Sequence, residues 1–212
     1  MTILPLFLTA LRAALAPVVV LLAFFFPSRP AFAVCLIVAF LSDIFDGVLA
    51  RRLGVASPGL RRLDSIADSF FYIGAALAVW HLYPFAITNR WLPLSALLVI
   101  ELGRYAFDFF KFQRETAYHM WSSKLWGIAL FAGFSSLLVF GRDGYIVAGA
   151  IYLGLVADLE GLSISFILHR WRSDVPSIYH AMRLRTLEEP TEPLGAAAKA
   201  QAQGPTQIGR ST

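Results

Sequence analysis

Long apolar runs broken by short polar segments recur along the chain, at roughly 6–26, 31–52, 62–83, 91–112, 124–141 and 145–168. A helix needs about 20 such residues to cross ~30 Å of hydrocarbon. Backbone cannot be left unpaired in lipid, so membrane spans are helices or closed barrels. These runs are too long and too evenly apolar for barrel strands. The pattern predicts an all-α integral membrane protein with six transmembrane helices.

The polar connections alternate in character. Those after the first, third and fifth runs hold Arg29, Arg90 and Arg142. The connection after the second carries Arg51, Arg52, Arg61 and Arg62, the one after the fourth Lys111, Arg114 and Lys124, and the segment past the sixth Arg170, Arg172, Arg183 and Arg185. The positive-inside rule places the basic loops, and with them both termini, in the cytoplasm. The N-terminal run has no basic leader before it and no small-residue cleavage site after it, so it reads as a retained helix. Residues 1–186 form one six-helix membrane domain. From 187 to 212 the chain turns to Pro, Gly, Ala and Gln without periodicity, the composition of a disordered tail.

Composition agrees with a membrane protein: 58% of residues are hydrophobic and 15% charged, where soluble domains average nearer 45–50% and 25%. A single cysteine, Cys35, leaves no intrachain disulfide and no cysteine metal site. The net charge of +4 gathers in loops, which suits anionic membrane lipids and not nucleic acid.

One stretch breaks the apolar pattern. SDIFDGVLARRLGVASPGLRRLDSIADSF, from Ser42, holds Asp43, Asp46, Asp64 and Asp68 together with four arginines. Asp43, Asp46 and Ala50 share a helix face near the end of the second run, and Asp64 and Asp68 share one at the start of the third. Gly47 and Ala50 keep the first face low, so a flat or phosphorylated ligand can approach the backbone. A short VASPG connection makes the two helices antiparallel neighbours, so that both carboxylate pairs can converge. Converging carboxylates repel unless cations lie between them. An all-oxygen donor set without His or Cys suits Mg²⁺ or Mn²⁺, and Mg²⁺ commonly shares its shell with substrate phosphates. The plainer alternative pairs the aspartates with the arginines in a solvated loop. It accounts for Arg52, Arg61 and Arg62, but not for every aspartate falling on a face turned toward its partner helix.

These residues resemble the signature of the CDP-alcohol phosphotransferases, membrane enzymes of six helices that displace CMP from a CDP-linked alcohol. The family pattern is D-x2-D-G-x2-A-R-x8-G-x3-D-x3-D. Asp43, Asp46, Gly47, Ala50, Arg51, Asp64 and Asp68 stand in register with it. The remaining fixed position expects glycine at 60, where this chain has Leu60, with Gly59 one place early. Thr9, Leu11 and Arg12 with Pro17 resemble the opening of many members. The resemblance spans roughly residues 5–185, specific at 43–68 and loose elsewhere.

The resemblance implies a metal centre of two Mg²⁺ or Mn²⁺ ions on the four aspartates. Asp43, Asp46 and Asp64 are its ligands, and Asp68, beside them, is the general base for the acceptor hydroxyl. It implies Gly47, Ala50 and Arg51 as the CDP site, with CDP-diacylglycerol and a small polar alcohol as substrates. It further implies a homodimer in a bacterial-type inner or plasma membrane with its active site at the cytoplasmic face. Glycerol 3-phosphate is the favoured acceptor; inositol phosphate, serine and phosphatidylglycerol are the others.

Further polar residues interrupt the later runs. Glu101, Arg104 and Asp108 share a face and can neutralise one another, or Arg104 with Lys111 and Lys124 can hold an acceptor phosphate. SSKLWG at 122–127 loosely resembles glycerophosphate-using members. One of Asp158 and Glu160 is expected at the acceptor cavity. Arg12 is expected to reach the interface along its own stem, with a phosphate contact as its alternative. Other classes compete: intramembrane prenyltransferases, a divalent-cation transporter, or a purely structural membrane protein. Prenyltransferases separate their two aspartate motifs by over a hundred residues, and a transporter places carboxylates at midplane on repeat-related helices. Here both pairs lie on one hairpin.

Overall fold

A computed structural model describes residues 3–52, 58–113, 120–168 and 175–188. Every element among them is helical: α1 (Ile3–Phe25), α2 (Arg29–Arg52), α3 (Pro58–Leu82), α4 (Pro84–Thr88), α5 (Trp91–Phe112), α6 (Trp121–Leu138), α7 (Tyr145–Ile167) and α8 (Ile178–Glu188). The six apolar runs correspond to α1–α3 and α5–α7. The tail past Glu188 lies outside the described residues, as do Arg114, Arg170 and Arg172.

Four helices, α1, α2, α3 and α7, are long and apolar enough to cross a membrane. α5 spans 22 residues but carries Glu101, Arg104, Asp108 and Lys111, and α6 opens on Ser122, Ser123 and Lys124. The outer surface is strongly apolar, with Phe25, Ile66, Ile73, Trp80, Val99 and Phe110 all more than half exposed.

Local chemistry sets several boundaries. Proline in the first turn costs no helical hydrogen bond and presets φ, and α2, α3 and α4 each open with one, at Pro30, Pro58 and Pro84. The expected VASPG loop is therefore shorter than its sequence suggests, because Pro58 and Gly59 already belong to α3. Leu60 stands in that first turn, and a side chain at Gly59 would meet nothing. Residues 53–57 lie outside the described part. α5 ends where Gln113 adopts the left-handed conformation (φ 53°) and its amide donates to the Phe109 carbonyl at 2.9 Å.

Two helix groups make up the bundle. α1 packs along both α3 and α2, while α6 and α5 pack on α7. α2 and α3 touch each other only slightly; the expected neighbours are held together by the helix that precedes them. The apolar core joins the groups through Val19, Leu36, Phe71, Leu138 and Val147. A smaller cluster, with Met120, Ile164 and Ala181, seats α8 on the end of α7.

Candidate active site

α1 owes its central place to one buried stripe: Pro5, Thr9, Arg12, Ala16, Val19 and Ala23. The alternating spacing of four and three residues is the period at which a helix keeps one face on its partners. At Ala16 the approach is closest. A Cβ on Gly74 of α3 would stand 2.9 Å from the Ala16 carbonyl oxygen, so only glycine lets the two backbones meet there. One turn before Ala16 the same stripe carries Arg12.

Arg12 is the largest fully buried side chain of the described residues, 1% exposed. Its Nη1 lies 3.1 Å from an Asp64 oxygen, 3.4 Å from one of Asp43, and in direct contact with Asp68. Its Nη2 bonds Asp46, and its Nε donates to Ser42 Oγ at 3.4 Å. Ser42 passes its own proton donor to the Ala39 carbonyl, 2.8 Å away. A planar guanidinium with five donors is the one side chain able to address this many oxygens at once. Arg12 does not run out along its stem to solvent: it faces inward onto the aspartates, because its position falls in the stripe that α1 buries.

The two aspartate pairs do converge. Asp43, Asp64 and Asp68 bring carboxylate oxygens within 4.8 Å of one another, a spacing that can hold a metal ion. Asp46 stands deeper, its side chain 5% exposed against 44% for Asp43, and its Oδ1 is buried without a hydrogen-bond partner. A buried carboxylate oxygen left unpaired is costly. One guanidinium offsets one of four carboxylate charges at full ionisation, and the rest need further positive charge. An all-oxygen set with an unpartnered oxygen fits a hard divalent cation.

Beside the carboxylates lies a small cavity. Arg12, Asp43 and Asp68 line its polar end, while Phe40, Phe71 and Phe131 form apolar walls. Phe40 and Phe131 stack with centroids 4.5 Å apart, joining α2 to α6. Tyr72, one turn beyond Asp68, also faces the cavity and stacks on Phe134.

Of the predicted CDP-site residues, Gly47 precedes Ala50 and Arg51 in the last turns of α2; the side chains of the latter two lie outside the described part. The three cations assigned to an acceptor phosphate have different partners. Arg104 donates to Asp158 at 3.3 Å, Lys111 to the Ser165 carbonyl at 2.7 Å, and Lys124 lies 4.6 Å over the Trp121 ring. Asp158 is buried, with one oxygen on Arg104 and the other unpartnered. Glu160, two residues on, is only partly buried.

The structure is a helical bundle with an apolar exterior and a carboxylate cluster that could hold a metal ion. Residues 2–159 match the model of the CDP-alcohol phosphatidyltransferase family. The match takes in most of the chain, all four aspartates and Arg12, and the chain belongs to that family. It is a phosphotransferase of phospholipid biosynthesis that uses a CDP-alcohol and an alcohol acceptor, and its family generally depends on a divalent metal. Membership decides against the prenyl-transfer, cation-transport and purely structural readings. No curated protein and no solved structure matched the chain.

Proposed function

We propose that the protein transfers a phosphatidyl group from CDP-diacylglycerol to glycerol 3-phosphate and releases CMP. The observation that carries this reading is the convergence of Asp43, Asp64 and Asp68 beside a cavity walled by phenylalanines. The carboxylates suit the cations that accompany a diphosphate, and the phenylalanines beside them suit an apolar neighbour.

Asp43, Asp46 and Asp64 would hold two Mg²⁺ or Mn²⁺ ions, with Asp68 at the edge of the centre. Bound there, the ions would neutralise the diphosphate and stabilise charge on the leaving oxygen. Asp68 takes the proton of the acceptor hydroxyl, as a general base within reach of it must. The acceptor oxygen then forms a bond to the phosphorus that carries the lipid, and the bond from that phosphorus to the CMP oxygen breaks. Gly47 and Ala50 leave room for the nucleotide, and Arg51 meets its phosphate charge. Arg104 receives the acceptor phosphate, with Lys111 and Lys124 as flanking charges. All six long helices cross the membrane in this reading, α5 and α6 included, and the aspartates stand at its cytoplasmic end. The basic residues of alternate connections support that orientation.

The test is CMP release by purified protein given CDP-diacylglycerol, Mg²⁺ and a panel of acceptors. Glycerol 3-phosphate is expected to give the highest rate. Release with serine, inositol phosphate or phosphatidylglycerol instead reassigns the acceptor, and no release with any of them refutes the reading.

A further inference from the structure

Arg12 pairs with the same carboxylates that a metal ion would need. Its Nη1 contacts Asp43, Asp64 and Asp68 together, the three residues whose oxygens lie within 4.8 Å of one another. An ion bound to three such oxygens must stand between them, at about 2.0–2.1 Å from each for Mg²⁺. Nη1 lies among these residues, 3.1 Å from an Asp64 oxygen, 3.4 Å from one of Asp43 and in contact with Asp68. A guanidinium and a divalent cation within one such cluster compete for the same oxygens and repel each other.

We propose that Arg12 is a built-in counter-ion that closes the carboxylate cluster in the metal-free enzyme and is displaced when metal binds. The proposal rests on the metal-site reading above. In the metal-free state the guanidinium keeps α2 and α3 drawn to α1, since those two helices touch each other only slightly. Without it, four carboxylates would face one another across an apolar bundle, which the helices could relieve only by separating. Metal entry requires Nη1 to withdraw. The two remaining anchors, Asp46 and Ser42, are both buried, so the side chain can pivot about them without leaving the bundle. Withdrawal also frees the Asp68 oxygen proposed to take the acceptor proton. Arg12 therefore lowers the site's affinity for metal while protecting the fold until metal arrives. Its role is positional: it touches the ligands and the base.

The experiment compares wild type, Arg12→Gln and Arg12→Lys in detergent, reading Mn²⁺ affinity by paramagnetic resonance and thermal unfolding in EDTA and in Mn²⁺. Removing one charge at close range should tighten Mn²⁺ binding by about tenfold or more in Arg12→Gln. The same variant should melt lower than wild type in EDTA, with much of the deficit recovered in Mn²⁺. Arg12→Lys keeps the charge but not the fork of donors. It should melt between the other two in EDTA, bind Mn²⁺ tighter than wild type by a smaller factor, and carry the test if Arg12→Gln does not fold. Unchanged or weaker Mn²⁺ binding in the variants that fold would overturn the displacement. Folded wild type that binds no Mn²⁺ removes the metal site itself, and this proposal with it. Binding to wild type that ignores the substitutions removes only the role of Arg12.

Discussion

Two polar regions interrupt the apolar bundle, and they are built differently. In the first, one guanidinium from α1 faces four carboxylates from α2 and α3. In the second, Arg104 of α5 pairs with Asp158 of α7, and Glu101 lies near both. A matched pair in a low-dielectric interior can persist as structure, although replacing both partners by apolar residues is often neutral. A surplus of like charge cannot persist without something else bound. The difference teaches where a cation belongs: four carboxylates converging on one guanidinium call for further positive charge far more strongly than the Arg104–Asp158 pair with its neighbour Glu101.

The largest expected effect follows from that imbalance. Chelation with EDTA should abolish CMP release, and Mg²⁺ or Mn²⁺ should restore it. Full activity in EDTA would place the two regions on an equal footing and end the comparison. Next comes Asp68→Asn, which keeps size and hydrogen bonding but cannot take a proton. A positioned base contributes about 10²–10⁴-fold, so kcat should fall within that range while the variant folds normally. Retained kcat would remove Asp68 as base and leave its neighbours as metal ligands.

Much of this was legible in the sequence, for a physical reason that also marks where legibility stops. Helix faces are local: Asp43 with Asp46, and Asp64 with Asp68, follow from periodicity alone, and so do six long helices. Arg12 is different. Its partners lie 30 to 56 residues away, and nothing in its own neighbourhood states which face of an evenly apolar helix turns inward. A signal did exist. Arg12 lies inside α1, away from either helix end. It also falls in register with Thr9, Ala16 and Val19, the small or compact residues of the buried stripe. The short α4 and the polar α8 were not expected either, since neither carries a long apolar run. Gly59 and Leu60 both fall in the first turn of α3, and a Cβ at Gly59 would meet nothing.

Glycines allow the same comparison on a smaller scale. Gly74 serves the first region by letting α1 reach α3, and a Cβ there would press on the backbone of Ala16. Gly74→Ala should lower stability by about 1–3 kcal/mol through overpacking and lower activity with it, since Arg12 and the aspartates depend on that contact. On α5, by contrast, a Cβ at Gly103 meets nothing. Gly103→Ala should therefore stabilise by about 0.5–1 kcal/mol, the ordinary helix preference for alanine. Thermal unfolding of the two variants checks both signs. Equal effects would mean that the α1–α3 approach is less tight than the geometry describes.

The smallest expected effect on stability bears most directly on the second region. Removing Arg104 alone would strand Asp158, which is 3% exposed, and a single variant would mix that penalty with any loss of acceptor binding. The double variant Arg104→Met with Asp158→Leu removes both charges together. Its unfolding midpoint should stay close to wild type, because a buried pair exchanged for apolar side chains of similar size is often neutral. Its KM for glycerol 3-phosphate should nevertheless rise by about tenfold or more, as a charged hydrogen bond to the acceptor phosphate is worth ~1.5–3 kcal/mol. The KM for CDP-diacylglycerol should hold. A double variant with both KM values unchanged would make the Arg104–Asp158 pair purely structural. The acceptor phosphate would then have to be met at the first region, by the basic residues around the aspartates.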